Sequence, residues 1–480
     1  MHRGLKWTGV VLSLAPLLGA CSGDDAGASE ADNTGGVASS TGGAYGSGGQ
    51  VGSGGQEGSG GFVPSGGASG AGGVVGSGGV VDSGGSGGDA TGGTTTGGSG
   101  GTQGAGGSGG ASEWFPCDAA PNTYDVTVIG AGNSWTVSGG NGGDANHDGL
   151  QAAMTAGFGR LTAARTTKQT MLVQGNGTVD ASAQLRLPSY VVLNVCGTIE
   201  VTGTASGSDR SPLYARGATD IDIPHVRITG NPQYGMFFRQ VSNIHLGIVD
   251  LAFNKASSGI GVRIDNNPSS NGPKVTNIQI DHITADGCGS HALETYGVDD
   301  LRVGRVEGTN LGECGVLLND TVNAEVGAVH CENCATGTGY AAFRIANSAG
   351  KIGSDWPAGN IHVGEVFARG GGRGIFSVSG SGGLTIDRID IADTGNNPIL
   401  LQNCYNTTIA AESGTVSRGS VILSNDTNNT NNGTYEPSRN VTLQNLTLSN
   451  GASVSEAWCD LGDRGNRARN ISGGSVSMCN

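Results

Sequence analysis

From residue 221 to residue 446 one short alternation of apolar and polar positions returns nine times, starting at Ile221, Ile244, Ile278, Leu301, Ala324, Ile361, Leu384, Thr407 and Val441. The intervals are 23, 34, 23, 23, 37, 23, 23 and 34 residues, so five of the eight are identical. Alternation is the period of a strand, and turn formers such as Ser242-Asn243, Asp299-Asp300 and Gly382-Gly383 precede the copies. Each repeat also carries an earlier strand, whose inward positions read Met236/Phe238, Val262/Ile264, Leu293/Thr295, Val316/Leu318, Ala341/Phe343, Phe376/Val378 and Ile399/Leu401. Short strands and tight turns in a fixed period, with no helical periodicity, predict a solenoid. The expected fold is all-β, a single-stranded right-handed parallel β-helix of ~23-residue coils spaced ~4.8 Å apart. An amphipathic helix over 147–165 is expected to cap its N-terminal end, and residues 450–480 to cover the other end.

The three long intervals place their extra residues in the same turn, at 266–274, 346–359 and 425–438, and so wall one edge of the stack. Insertions gathered on one edge of a solenoid border a binding face. Beside them the outward positions are charged: Arg263 and Asp265, then His291, Glu294 and Tyr296, then Asn319 and Asp320, then Arg344 and Arg373. Two of the loops bring an aromatic residue, Trp356 and Tyr435. Arg263 with Glu294 and Asp320 with Arg344 also fit ordinary ladder ion pairs on a solvated face. The concentration of charge between the loops points instead to a cleft.

The coils, together with the helix-then-strand stretch from Asp148 to Val201, resemble the pectate-lyase-like β-helix superfamily, which includes polygalacturonases and rhamnogalacturonases; the likeness covers about residues 140 to 450. It implies action on uronic-acid-rich or other polysaccharides, or the non-catalytic role of adhesins and phage spikes. The superfamily's local motifs do not carry over. Asp299-Asp300 sits in a turn, Ile280-Asp281-His282 belongs to the repeated phrase, and neither Gly-His-Gly nor Arg-Ile-Lys occurs.

Two reactions fit the residues. Hydrolysis needs two carboxyls flanking the bond, and Asp265 with Glu294, one rung apart, or with Asp320, two rungs apart, approximate the retaining and inverting spacings. β-Elimination needs a base beside a neutralised uronate. His291 or Tyr296 would be the base and Arg263, Arg344 and Arg373 the clamps, with calcium as the one cofactor such a lyase would use. Convergent acids without an obvious calcium loop favour hydrolysis, with no cofactor and no metal. Asn319 would bind substrate, and Trp356 would stack on a sugar face in either case. The rival reading is a polysaccharide-binding or adhesin rod that only grips.

Composition changes the picture at the N-terminus. Arg3 and Lys6, an apolar run from Val10 to Leu18 and Leu18-Gly19-Ala20-Cys21 form an export signal over 1–21 whose end resembles a bacterial lipobox, so Cys21 is the expected lipidation site. Residues 22–112 carry seven acids, no Lys or Arg and recurring Ser-Gly-Gly units. That composition cannot build a core and predicts a flexible tether. The folded domain is expected over 113–480, outside the cytoplasm and held to the membrane by its lipid alone, as a monomer. A net charge of −15 without a basic tract argues against nucleic acid as a partner. Cysteine usage fits an oxidising compartment: Cys288 with Cys314 across adjacent rungs, Cys331 with Cys334 in a turn, Cys459 with Cys479 at the C-terminus and Cys117 with Cys196 are expected disulfides, leaving Cys404 alone. No second close Cys or His pair accompanies Cys331 and Cys334, which argues against zinc.

Overall fold

The computed structural model describes Cys117 and residues 123–268, 272–425 and 435–479. The export signal with Cys21, the linker 22–112, and positions 269–271 and 426–434 of two insertion loops lie outside the described residues.

The chain is a right-handed parallel β-helix built on two stacks of strands, an 18-stranded sheet and a 12-stranded one. The repeated phrase forms the long strands, among them Thr219–Gly230, Ser242–Phe253, Val275–Asp286, Val298–Thr309, Val322–Glu332 and Ile361–Arg369. Its first apolar position runs through consecutive partners as Ile221, Ile244, Ile278, Leu301, Ala324, Ile361 and Leu384. The 34- and 37-residue intervals therefore cause no slip, because their extra residues are looped out at the corner. The earlier strand of each coil forms the short-strand sheet, which includes Ile260–Asp265, Leu293–Tyr296, Val316–Asn319, Ala341–Ala346 and Arg373–Ser377. Alternate residues of both sheets fill one continuous apolar core, as the period of two requires.

Asparagines set the corners. Asn243, Asn277, Asn323, Asn406 and Asn440 all adopt φ between 49° and 55° at equivalent places, a region that Asn tolerates better than other side chains. Their amides stack along the helix: Asn277 Nδ2 donates to Asn243 Oδ1 at 2.9 Å and Asn440 Nδ2 to Asn406 Oδ1 at 3.0 Å. Midway along two of the long strands the backbones of adjacent rungs crowd. A Cβ on Gly304 or Gly327 would lie 2.4 or 2.3 Å from the carbonyl oxygen of the preceding rung, so glycine is required there.

The inward positions hold on most rungs. On one they move by a single residue: Phe343 pairs with Ile375 and Ile345 with Ser377, so Ile375 and Ser377 point inward and Phe376 lies outside, where Phe376/Val378 had been expected to face the core. The phrase at Thr407 is interrupted. Ile386 pairs with Ile409 but Arg388 pairs with Ser413, so Ala410–Glu412 form a bulge opposite Asp387, with Ala410 packed in the core and Glu412 exposed. At the N-terminal end the helix is shorter than expected, Leu150–Arg160, and buries Leu150, Ala153, Met154 and Gly157 against the first strands. Residues 450–479 do not fold over the end as a separate cover. They continue the stack through Ser453–Glu456, Arg467–Arg469 and Ser475–Ser477.

Cys117–Cys196 and Cys459–Cys479 are disulfides, whereas Cys288, Cys314, Cys331, Cys334 and Cys404 are buried free thiols. The expected Cys288–Cys314 bond fails on phase. The two are 26 residues apart where the rung is 23, and Cys314 lies beside His291, whose Nδ1 accepts its backbone N–H at 3.0 Å. Cys288 joins the main core, and Cys314 packs outside it with Leu317, Ala346 and Val378. The Cys331–Cys334 pair is also unbonded, and the Cys334 thiol turns to the carbonyl of Gly308 at 3.6 Å.

Candidate functional site

The outer face of the short-strand sheet gathers most of the expected residues. Its register runs Phe237, Arg263, Glu294, Leu317, Arg344, Phe376 along one ladder and Arg239, Asp265, Tyr296, Asn319, Ala346 along the next. Arg263, Asp265, Glu294 and Asn319 are one connected network. Arg263 donates from Nε to Asp265 Oδ2 at 2.9 Å and from Nη1 to Glu294 Oε2 at 3.1 Å. Asn319 donates to Glu294 Oε1 at 3.2 Å and accepts from Asn347 at 2.9 Å.

Asp265 is not available for acid–base work. It is fully buried, and Arg239 binds it through Nε at 2.8 Å and Nη2 at 3.0 Å while Arg263 takes its other side. Burial alone would raise its pKa, but the two arginines outweigh burial and hold it below the usual carboxylate range. It anchors Arg263. Arg239 also reaches Asp209 at 3.1 Å, so the network extends a rung further than the sequence indicated.

Glu294 behaves in the opposite way. Burial pushes its carboxyl up and Arg263 pulls it down, and burial prevails with help from Asp265 and Glu313. Glu313, in the turn before Val316–Asn319, also has its pKa raised by burial, despite a hydrogen bond from Ser290 and the field of Arg344. Burial thus raises the pKa of both Glu294 and Glu313.

His291 is excluded as a base. Its Nδ1 accepts from Cys314, its Nε2 faces Glu313 at 3.2 Å, and burial followed by the fields of Arg344 and Arg263 brings its pKa down to about 3. It is a neutral Nε2–H donor that orients Glu313. Tyr296 is a poor base as well, since burial and the nearby Asp320 raise its phenol. Asp320 turns to Lys274 at 2.8 Å rather than to Arg344. Trp356 is buried in the corner: its indole donates to the Gly380 carbonyl at 2.7 Å and its ring packs on Tyr405 at 4.2 Å between centroids. No sugar can stack there.

The remaining two arginines differ from the rest. Arg344 lies over Tyr340 at 4.5 Å and over Phe376 at 4.9 Å, and Arg373 lies over Phe376 at 5.0 Å. Among the described residues neither makes an ion pair, and the Nε of each is buried without a hydrogen-bond partner. Burial and the field of Arg344 lower the pKa of Arg373, whose Nη1 donates to the Gly339 carbonyl, while Arg344 acts on Glu294 and Glu313 through its field alone. Glu313 and Tyr340 were missed in the sequence because both lie in turns outside the repeating strand pattern.

No protein-family model matches the chain, and no curated protein matches it in sequence. Among solved structures it is similar to the A-module of the Azotobacter vinelandii mannuronan C-5 epimerase AlgE4, with 14% identity, TM-score 0.35, 68% of this chain and 91% of that one covered. The A-module of the AlgE6 epimerase from the same organism gives 12%, 0.28, 68% and 94%. The Streptococcus pneumoniae surface protein and adhesin PfbA gives 9%, 0.24, 65% and 88%.

Among the described residues no cluster of three or more His, Cys, Asp or Glu side chains is arranged to hold a metal ion. Asp265 and Glu294 are in any case already engaged by cationic or amide donors. Two cavities lie off this face, one of about 600 Å³ beside Glu436, Arg439 and Arg464, the other of about 430 Å³ on the long-strand sheet.

Proposed function

We propose that this protein binds an acidic polysaccharide across its short-strand sheet and hydrolyses it. The observation that carries the reading is the pair Arg344 and Arg373, stacked on Tyr340 and Phe376 and making no ion pair among the described residues. A guanidinium fixed on an aromatic shelf is preorganised for a bidentate carboxylate such as that of a uronate. With a uronate held there, protonated Glu294 gives its proton to the glycosidic oxygen as the C–O bond breaks. Ionised Glu313, oriented by His291, takes a proton from the water whose oxygen bonds to the anomeric carbon. Asn319 and Arg263 position Glu294.

On this reading Cys21 carries a lipid, residues 22–112 serve as the tether, and the domain works outside the cytoplasm. Non-catalytic gripping is the second reading, favoured by the hydrogen bonds that already occupy both oxygens of Glu294. The deciding experiment incubates the protein with pectic and bacterial acidic polysaccharides and follows reducing ends and absorbance of unsaturated products. Reducing ends alone support hydrolysis, unsaturated products mean elimination, and binding without either leaves the gripping rod.

A further inference from the structure

The interruption of the repeat at Ala410–Glu412 leaves a step on the outer face of the long-strand sheet. Where the other rungs continue in register, Arg388 is carried to Ser413, and a cavity of about 430 Å³ opens between them. Bulges recur beside binding sites because they re-aim side chains out of the ladder, and this volume is within the range of small-ligand pockets. The bulge is pinned from below: Asn445 Nδ2 donates to the carbonyls of Ala410 and Ala411 at 3.3 and 2.9 Å.

Each charged group of this cavity is paired, unlike Arg344 and Arg373 of the short-strand face. Glu365 accepts from His330 at 2.7 Å and lies 3.6 Å from Arg388. Arg388 also reaches Glu412 at 3.1 Å, and Asp390 is taken by Arg369 and the Thr415 hydroxyl. The Ser413 hydroxyl makes no hydrogen bond among the described residues, and Ser413 and Thr415 are both exposed. A charged ligand would have to displace a partner from these pairs, whereas hydroxyl groups can share their lone pairs and protons. We propose that the step is a second saccharide site that takes an uncharged sugar unit, separate from the acidic-sugar face.

The test titrates the full chain by calorimetry with neutral cello-, manno- and galacto-oligosaccharides and, in parallel, with oligogalacturonate. One of the neutral series is expected to bind, with affinity lost at least tenfold in S413W, which fills the step from an exposed position, and in T415L. R344A should leave that binding unchanged. Absence of neutral-sugar binding, or neutral-sugar binding that survives both S413W and T415L, or that R344A abolishes, would overturn the proposal. The oligogalacturonate arm responds to R344A and not to S413W if the acidic-sugar reading holds, so the two can fail separately.

Discussion

Glu294 stands one rung beyond Arg263, its Oε2 3.1 Å from the guanidinium, and burial still holds its carboxyl above the ordinary range. Burial favours the protonated form of such a group, the form a general acid needs. Glu294→Gln and Glu313→Gln should each lower turnover of a cleaved acidic polysaccharide by ~10² or more, with KM little changed. In the wild type, activity should fall as pH rises through the raised pKa of Glu294. Wild-type turnover in both variants would remove the acid–base assignment.

Asp265→Asn should act on stability rather than chemistry. It leaves Arg239 and Arg263 short of a buried anion, a loss of about 3 to 5 kcal/mol for breaking such a pair. Because the folded pKa of Asp265 is depressed, its contribution is present above the unfolded value near ~3.9 and is lost as pH falls through the folded pKa. Denaturant melts of the variant and the wild type at pH 7 and pH 3 measure this: the gap should be wide at pH 7 and narrow in acid.

His362 spans three rungs, with Nδ1 2.9 Å from Glu325 and Nε2 2.8 Å from Asp387. Partial burial lowers its pKa, but the hydrogen bonds to the two carboxylates outweigh burial and raise it. Its stabilisation is therefore full below the unfolded value near ~6.5 and disappears as pH rises through the folded one. Exposure limits the effect to on the order of 0.2 to 1 kcal/mol. Thermal melts should show His362→Gln less stable than wild type at pH 5.5 and equal to it at pH 9.

Cys21→Ala should move the protein from the membrane fraction to the soluble one. The same distribution in both proteins would dismiss the lipid anchor.

The coil was legible because each strand repeats in phase, so the outward placement of Arg263, Glu294 and Arg344 follows from the register alone. What the phase does not carry is how far an outward side chain is covered. Tyr234 and Phe237 lie under Arg263 and Arg239, and Tyr340 lies beside His291. The first two rings carry the arginines that enclose Asp265, and Tyr340 packs on the buried His291. Trp356 was misread for a related reason: a loop aromatic without periodic context can pack inward as readily as outward. The Cys288–Cys314 pairing failed on a three-residue departure from the 23-residue rung, which is enough to place one thiol in the core and the other outside it.

The acidic-sugar face rests on Arg344 and Arg373. Calorimetric titration of the protein with oligogalacturonate, compared with the R344A/R373A double variant at low and high salt, tests it most directly. Hydrogen bonds to charged groups contribute about 1.5 to 3 kcal/mol each, so the account predicts binding weakened at least tenfold in the variant and a steep loss with salt in the wild type alone. Undiminished binding by the variant, or no binding of acidic oligosaccharide by the wild type at millimolar concentration, would contradict it.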